Sequence, residues 1–215
     1  AVESLDSRYQ LERGALKDAV WPHEIEYRRP PLEGLDLLYQ VIFTILIPSI
    51  LVIPVFLMGN LFVDIVMQEK EEGNFHIVLS AVSPMRYVHE FLLQGFLSVF
   101  VMIAVFLFFL KLRFSFIDNI GLSLIYILLF TGPVIIMSLW FSFVFDKKDI
   151  AQLMYTFAIL SIFLFSPFLL FSPNIVISDL MHGRLESSVA GMGFLLLINM
   201  VVYTAFRWYL KRKYY

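Results

Sequence analysis

Few side chains in this sequence have the type and spacing that chemistry needs. Asp179, His182 and Glu186 recur at intervals of three and four and are of the kind that ligate a divalent cation on a helix. They lie in a polar stretch between apolar runs, where a solvated turn is the plainer explanation, so no metal site is expected. The other histidines, His23, His76 and His89, are scattered, and His76 and His89 are too far apart for a helical metal pair. No Gly-x-x-x-x-Gly-Lys-Ser/Thr run occurs, so ATP hydrolysis would have to come from elsewhere. Without cysteine there is no disulfide, thiolate metal site or cysteine nucleophile. The expectation is no catalytic, cofactor or metal residue in this chain. What remains is mechanical. The segment Gln68–Glu90, QEKEEGNFHIVLSAVSPMRYVHE, is charged at its start, turns at Gly73 and continues as a short amphipathic stretch.

The elements that must hold this segment are apolar. Of 215 residues, 60% are hydrophobic, 16% are charged and 23 are Phe, with a mean hydropathy of +0.80. A soluble domain carries roughly 25% charged and 45–50% apolar residues. The chain exceeds what one aqueous core can use and reads as a polytopic membrane protein. A net charge of −2 gives nucleic-acid binding no electrostatic support.

Five uncharged runs follow a polar start: 37–63, 91–110, 119–145, 150–178 and 187–206. A bilayer core of ~30 Å needs about 20 helical residues, so each run is long enough, and helices satisfy the backbone in lipid. The expected fold class is an all-α membrane protein, a polytopic helical bundle with spans at about 37–67, 91–112, 119–145, 150–171 and 187–209. A loop occupies 68–90. Residues 1–36 form a polar segment with eight acids against five bases. Pro167 and Pro173 break the fourth run, leaving an outer re-entrant or loop segment at 172–188. Pro48 and Pro54 bend the first helix, and Gly132-Pro133 the third, with neighbours covering the freed carbonyls.

Lys and Arg in short loops set orientation. Lys70, Arg86, Lys147, Lys148, Arg207, Lys211, Arg212 and Lys213 fall on one side; Lys111, Arg113 and Arg184 fall on the other. The first side is therefore expected to be cytosolic, with residues 1–36 outside and the C-terminus inside. Trp208 and Tyr209 at headgroup depth, followed by Lys211–Lys213, make a membrane anchor.

In that orientation Gln68–Glu90 is a cytosolic loop. Gly73 permits a sharp turn. Phe75, Val78, Leu79, Val82 and Met85 recur at helical spacing and form one apolar face, and Ser83-Pro84 ends the stretch. A helix lying among headgroups usually carries Lys and Arg on its polar face. This one carries Asn74, His76, Ser80 and Ser83, with acids upstream, and fits a protein groove better.

The stretch resembles the signature of type-2 ABC exporter permeases, in which a membrane helix runs into a Glu-Lys/Arg-Glu-x-Gly turn. A short coupling helix follows and ends in Ser-Pro or Thr-Pro. Here the parts are Glu69-Lys70-Glu71-Glu72-Gly73, then Phe75–Val82, then Ser83-Pro84, with Asn74 in place of the family's usual Thr. The order of the later spans, the turn Asp146-Lys147-Lys148-Asp149, the proline-broken outer segment and the basic C-terminus match as well. The family has six spans, so the resemblance implies a sixth upstream of Ala1. It also implies that two permeases pair, as two copies or with a related chain. Each would dock a cytosolic ATP-binding-cassette subunit that holds ATP and Mg. The implied docking residues are Glu69, Lys70, Glu71, Glu72, Gly73, Phe75, Val78, Leu79, Val82, Ser83 and Pro84. Exposed acids would supply roughly 0–1 kcal/mol each, and the apolar face of Phe75, Val78, Leu79 and Val82 would supply more.

Two other classes fit less well. An ATP-independent transporter commonly shows inverted repeats and midplane ion ligands, and neither is found; a structural subunit of a membrane complex is the milder form of the same alternative. An intramembrane enzyme needs paired carboxylates, a His cluster or a Ser-Lys pair at bilayer depth, and the runs contain none. The polar residues within the runs, Asn60, Gln94, Ser98, Thr131, Ser138, Gln152, Thr156 and Asn199, are expected to make helix–helix contacts. A mostly apolar path suits a lipid-like or amphiphilic substrate.

Overall fold

The computed structural model describes residues 41–114, 117, 119–165, 172–183 and 185–214. Helix α1 begins as a π-helical stretch, Val41–Leu46, and continues as an α-helix, Ile47–Glu71. The change of winding falls just before Pro48. That proline therefore sits in the first α-helical turn, where its missing N–H costs nothing. Among the described residues six helices follow: α2 (Asn74–Ala81), α3 (Pro84–Arg113), α4 (Ile120–Val144), α5 (Lys148–Phe165), α6 (Pro173–Met181) and α7 (Leu185–Tyr214).

Among the described residues, four stretches are long and apolar enough to cross a bilayer: Val41–Glu71, Pro84–Arg113, Ile120–Val144 and Ser188–Tyr214. The fourth sequence run is helical from Lys148 to Phe165. Residues 166–171, with Pro167, lie outside the described residues, and the run is helical again from Pro173. Three of the spanning helices, α1, α3 and α7, are longer than their apolar runs. Helix α1 continues through Gln68–Glu71, and α3 already starts at Pro84, so the loop at 68–90 is helical nearly throughout. Helix α7 carries on through its basic cluster to Tyr214 because Lys211, Arg212 and Lys213 occupy its last turn, where cations favour the helix end.

Helix α4 is the hub. Half of its most apolar stretch is buried, against 17% for α7, and it packs on α1, α3, α5, α6 and α7. Its buried hydroxyls turn back on their own helix: Thr131 Oγ1 donates to the Ile127 carbonyl (2.8 Å) and Ser142 Oγ to the Ser138 carbonyl (2.8 Å). Pro133 has no N–H to offer the carbonyl of Leu129 four residues back. Asn199 of α7 fills that vacancy, its Nδ2 donating to Leu129 O at 2.9 Å. Gly132 leaves the room: a Cβ there would collide with the Asn199 amide.

The outer helix surfaces invert the rule for soluble proteins. Leu57, Leu93, Leu97, Leu153 and Val201 are each more than 60% exposed. Apolar exposure on that scale marks an interaction surface, here the lipid. On the face away from α2, Ser172 caps α6 through a bond from the Ile175 N–H (3.3 Å), and Pro173 takes the first position of that helix. Val176, Ile177, Leu180 and Met181 of α6 are buried against α1, α4 and α7. Asn119 reaches the left-handed φ of 49° before α4, a conformation asparagine tolerates.

Candidate functional site

The segment singled out by its chemistry is an elbow between α1 and α3. Two backbone bonds close it, Glu72 N–H to Gln68 O (3.0 Å) and Gly73 N–H to Lys70 O (3.1 Å). Gly73 has φ 76°, and nothing stands within 4 Å of where its Cβ would be. Backbone conformation alone, not crowding, selects glycine there. The Glu72 carboxylate straddles the turn, accepting from Gln68 Nε2 (2.8 Å) and Asn74 Nδ2 (3.1 Å). At the far end of α2, Val82 is extended, with φ −128° and ψ 134°. Ser83 then caps α3 by accepting from the Arg86 N–H (3.4 Å), and Pro84 occupies the first turn.

Helix α2 has eight residues, too few to hold itself helical in water, so its inner side decides its position. Phe75 is 1% exposed. Its ring packs edge-on against Phe143 of α4 (5.2 Å) and Tyr87 of α3 (6.1 Å). Val78 and Leu79 are half-buried against the same cluster. The apolar face expected to meet a partner is thus turned toward this chain's own helices. An apolar stripe beside an apolar bundle is covered by whatever lies nearest, and α3 and α4 are nearest.

Charged groups complete the anchorage. Tyr87 Oη donates to Glu69 Oε2 at 2.7 Å. Lys70 Nζ donates to the carbonyl of Phe145 at 2.8 Å and lies 3.8 Å from Asp146. Asp64 of α1 accepts from Lys148 Nζ (2.8 Å) and from Gln152 Nε2 (2.6 Å). Its hydrogen bond to Lys148 holds that ammonium above its ordinary range. Glu69 and Lys70 therefore face inward, although both belong to the docking set that the sequence suggested.

What points away from the bundle is a different set. Glu71, Glu72, Gly73, Asn74, His76, Ser80 and Ser83 are exposed, and Ile77 is 66% exposed. Ile77 was missed by sequence reasoning, yet it was legible: it is the one large apolar residue off the Phe75–Val78–Leu79 face. Asp64, Tyr87 and Phe143 were also missed as parts of the site. Tyr87 lies within the segment itself, Asp64 just before it and Phe143 at the end of α4, and none carries a local signal of the contact it makes. Of the outer groups, His182 bonds through Nδ1 to the Ser178 carbonyl (2.7 Å), and the Glu186 side chain lies outside the described residues.

The arrangement can bear force: a long helix, a rigid turn and a short helix pinned on one side and open on the other. The family model described as ABC-2 family transporter protein matches residues 22–206 of this chain. No curated protein and no solved structure matches it.

Proposed function

The chain belongs to the ABC-2 family transporter proteins, which makes it a multi-pass membrane permease of an ABC transporter. On that premise, we propose that it exports its substrate using ATP hydrolysed by a separate subunit docked on the elbow. The observation that carries this reading is the two-sidedness of α2. Phe75 fixes the helix to α3 and α4, while a largely polar surface with one large apolar residue, Ile77, stays open. A push on that surface reaches α1 and α3 without passing through flexible chain, because only residues 72–73 and 82–83 separate the three helices. Helix α1, at 31 residues, is about 46 Å long at ~1.5 Å per residue and outreaches a ~30 Å bilayer core. The elbow therefore stands clear of the lipid.

In this reading α2 is a cytosolic coupling helix, ATP and Mg are bound by the partner, and two permease chains pair around the substrate path. The protein lies in the plasma membrane with residues 1–36 outside and the C-terminus inside; the distribution of Lys and Arg supports that orientation. The docking surface is Glu71, Glu72, Gly73, Asn74, Ile77 and Ser83. Phe75, Val78, Leu79, Val82 and Pro84 shape it from behind, and Glu69 and Lys70 brace it.

Affinity purification of the full permease from its native membrane tests this. An ATP-binding subunit should copurify. Reversing both Glu71→Lys and Glu72→Lys should lower the recovered ATPase at least about tenfold while leaving the amount of permease unchanged. A purified complex with no nucleotide-binding subunit would overturn the reading.

A further inference from the structure

Helix α4 ends without a basic residue of its own in its last turn. The final carbonyls of a helix lack intrahelical donors and carry partial negative charge. Two lysines from elsewhere supply what is missing. Lys213 of α7 donates to the Phe143 carbonyl at 2.7 Å, and Lys70 of the elbow donates to the Phe145 carbonyl at 2.8 Å. The Lys70 side chain is only 14% exposed, and its ammonium also lies 5.4 Å from the centre of the Phe75 ring. Lys70 thus touches at once the anchor of α2 and the C-terminal end of α4.

We infer that Lys70 is a strut that carries movement of α2 into α4. The inference rests on the reading of α2 as the element a partner pushes. The connections along the chain deliver a push on α2 only to α1 and α3. The hub of the bundle is α4, which packs on α1, α3, α5, α6 and α7; along the chain, Lys70 and Phe145 stand 75 residues apart. The strut ties the elbow directly to the end of α4, beside the Phe75–Phe143 ring contact. It also holds the turn Asp146–Asp149 in register with the elbow, so that α2 and the start of α5 shift together. Lys70 acts here as a positioning residue and makes no contact with substrate.

Residues 1–215 contain no cysteine, so labels placed there report cleanly. Spin labels on Ser80→Cys of α2 and Lys147→Cys of the α4–α5 turn, both exposed positions, report the distance across the strut. The measurement uses the full complex in lipid nanodiscs, nucleotide-free and trapped with ATP and vanadate. In the natural background and with Lys70→Arg, which keeps a donor, the distance should be narrow and equal in the two states. With Lys70→Met it should broaden at least about twofold and shift on trapping. An unchanged narrow distance with Lys70→Met in both states would overturn the strut, as would a natural-background distance that itself shifts on trapping. Should no ATPase accompany the permease, the functional reading fails separately. The nucleotide-free comparison of Lys70→Met with Lys70→Arg then still decides whether Lys70 holds the turn.

Discussion

At the scale of single residues, much of this protein concerns carbonyl groups that a helix cannot satisfy by itself. Pro133 leaves Leu129 O without its donor, and Asn199 supplies one at 2.9 Å while also bonding the Leu195 carbonyl of its own helix at 2.9 Å. An unsatisfied buried acceptor costs about 1–3 kcal/mol. Asn199→Leu should therefore lower stability by about that amount in thermal unfolding of the detergent-solubilised chain. Adding Pro133→Ala, which restores the internal donor, should recover most of the loss. Phe75 and Ile77 make a second contrast, two residues apart on one short helix. Phe75→Ala should destabilise the chain by about 3–5 kcal/mol, as large-to-small changes of buried aromatics do. Ile77→Asp, at a position 66% exposed, should leave the unfolding temperature unchanged while weakening recovery of the ATPase.

At the scale of elements, the elbow depends on a fixed angle between α1 and α2. The φ of 76° at Gly73 sets it. Gly73→Ala has room for its methyl but must adopt the left-handed region, at about 1–2 kcal/mol. The expected outcome is a small loss of stability with a larger loss of ATPase coupling, measured as the ATP hydrolysis rate of the complex against that of the isolated subunit. The Asp64–Lys148 pair joins α1 to α5 at 2.8 Å. Both side chains are partly exposed to solvent, so the pair adds little to stability; its use is alignment. Asp64→Lys should impair coupling, and the exchange Asp64→Lys with Lys148→Asp should restore it, with little change in unfolding temperature across the set.

At the scale of the whole molecule, an apolar exterior, a serine- and threonine-containing interior and polar ends describe a bundle made for lipid. The elbow, the Asp146–Asp149 turn and the end of α7 meet at one end, joined by Lys70 and Lys213; α6 packs away from them. A membrane-impermeant maleimide should accordingly label Ser80→Cys and Lys147→Cys from one side of the membrane only, the cytosolic side. It should label His182→Cys, in the turn after α6, only from the other. Labelling of all three from the same side would contradict the orientation drawn from the Lys and Arg distribution.

Apolar run length and punctuation are local properties, and they determined much by themselves. A run of twenty or more apolar residues can only become a buried or lipid-facing helix, so α1, α3, α4 and α7 were legible from the sequence. Gly73 and Ser83-Pro84 marked the ends of α2 because turn and cap chemistry is set by the residues that make it. Of the polar residues in the runs, Gln152 and Asn199 make the expected contacts with other helices, whereas Thr131 and Ser138 bond back to their own helix. Tertiary structure decided the direction in which α2 faces and what its charges hold. Helical spacing shows that Phe75, Val78 and Leu79 share a side but not which neighbour covers that side. Lys70 bonds a backbone carbonyl 75 residues away, and a carbonyl is the same at every position, so no side chain at Phe145 could announce it. The proposed docking surface is therefore the set of residues opposite the apolar stripe, because the bundle covers the stripe itself.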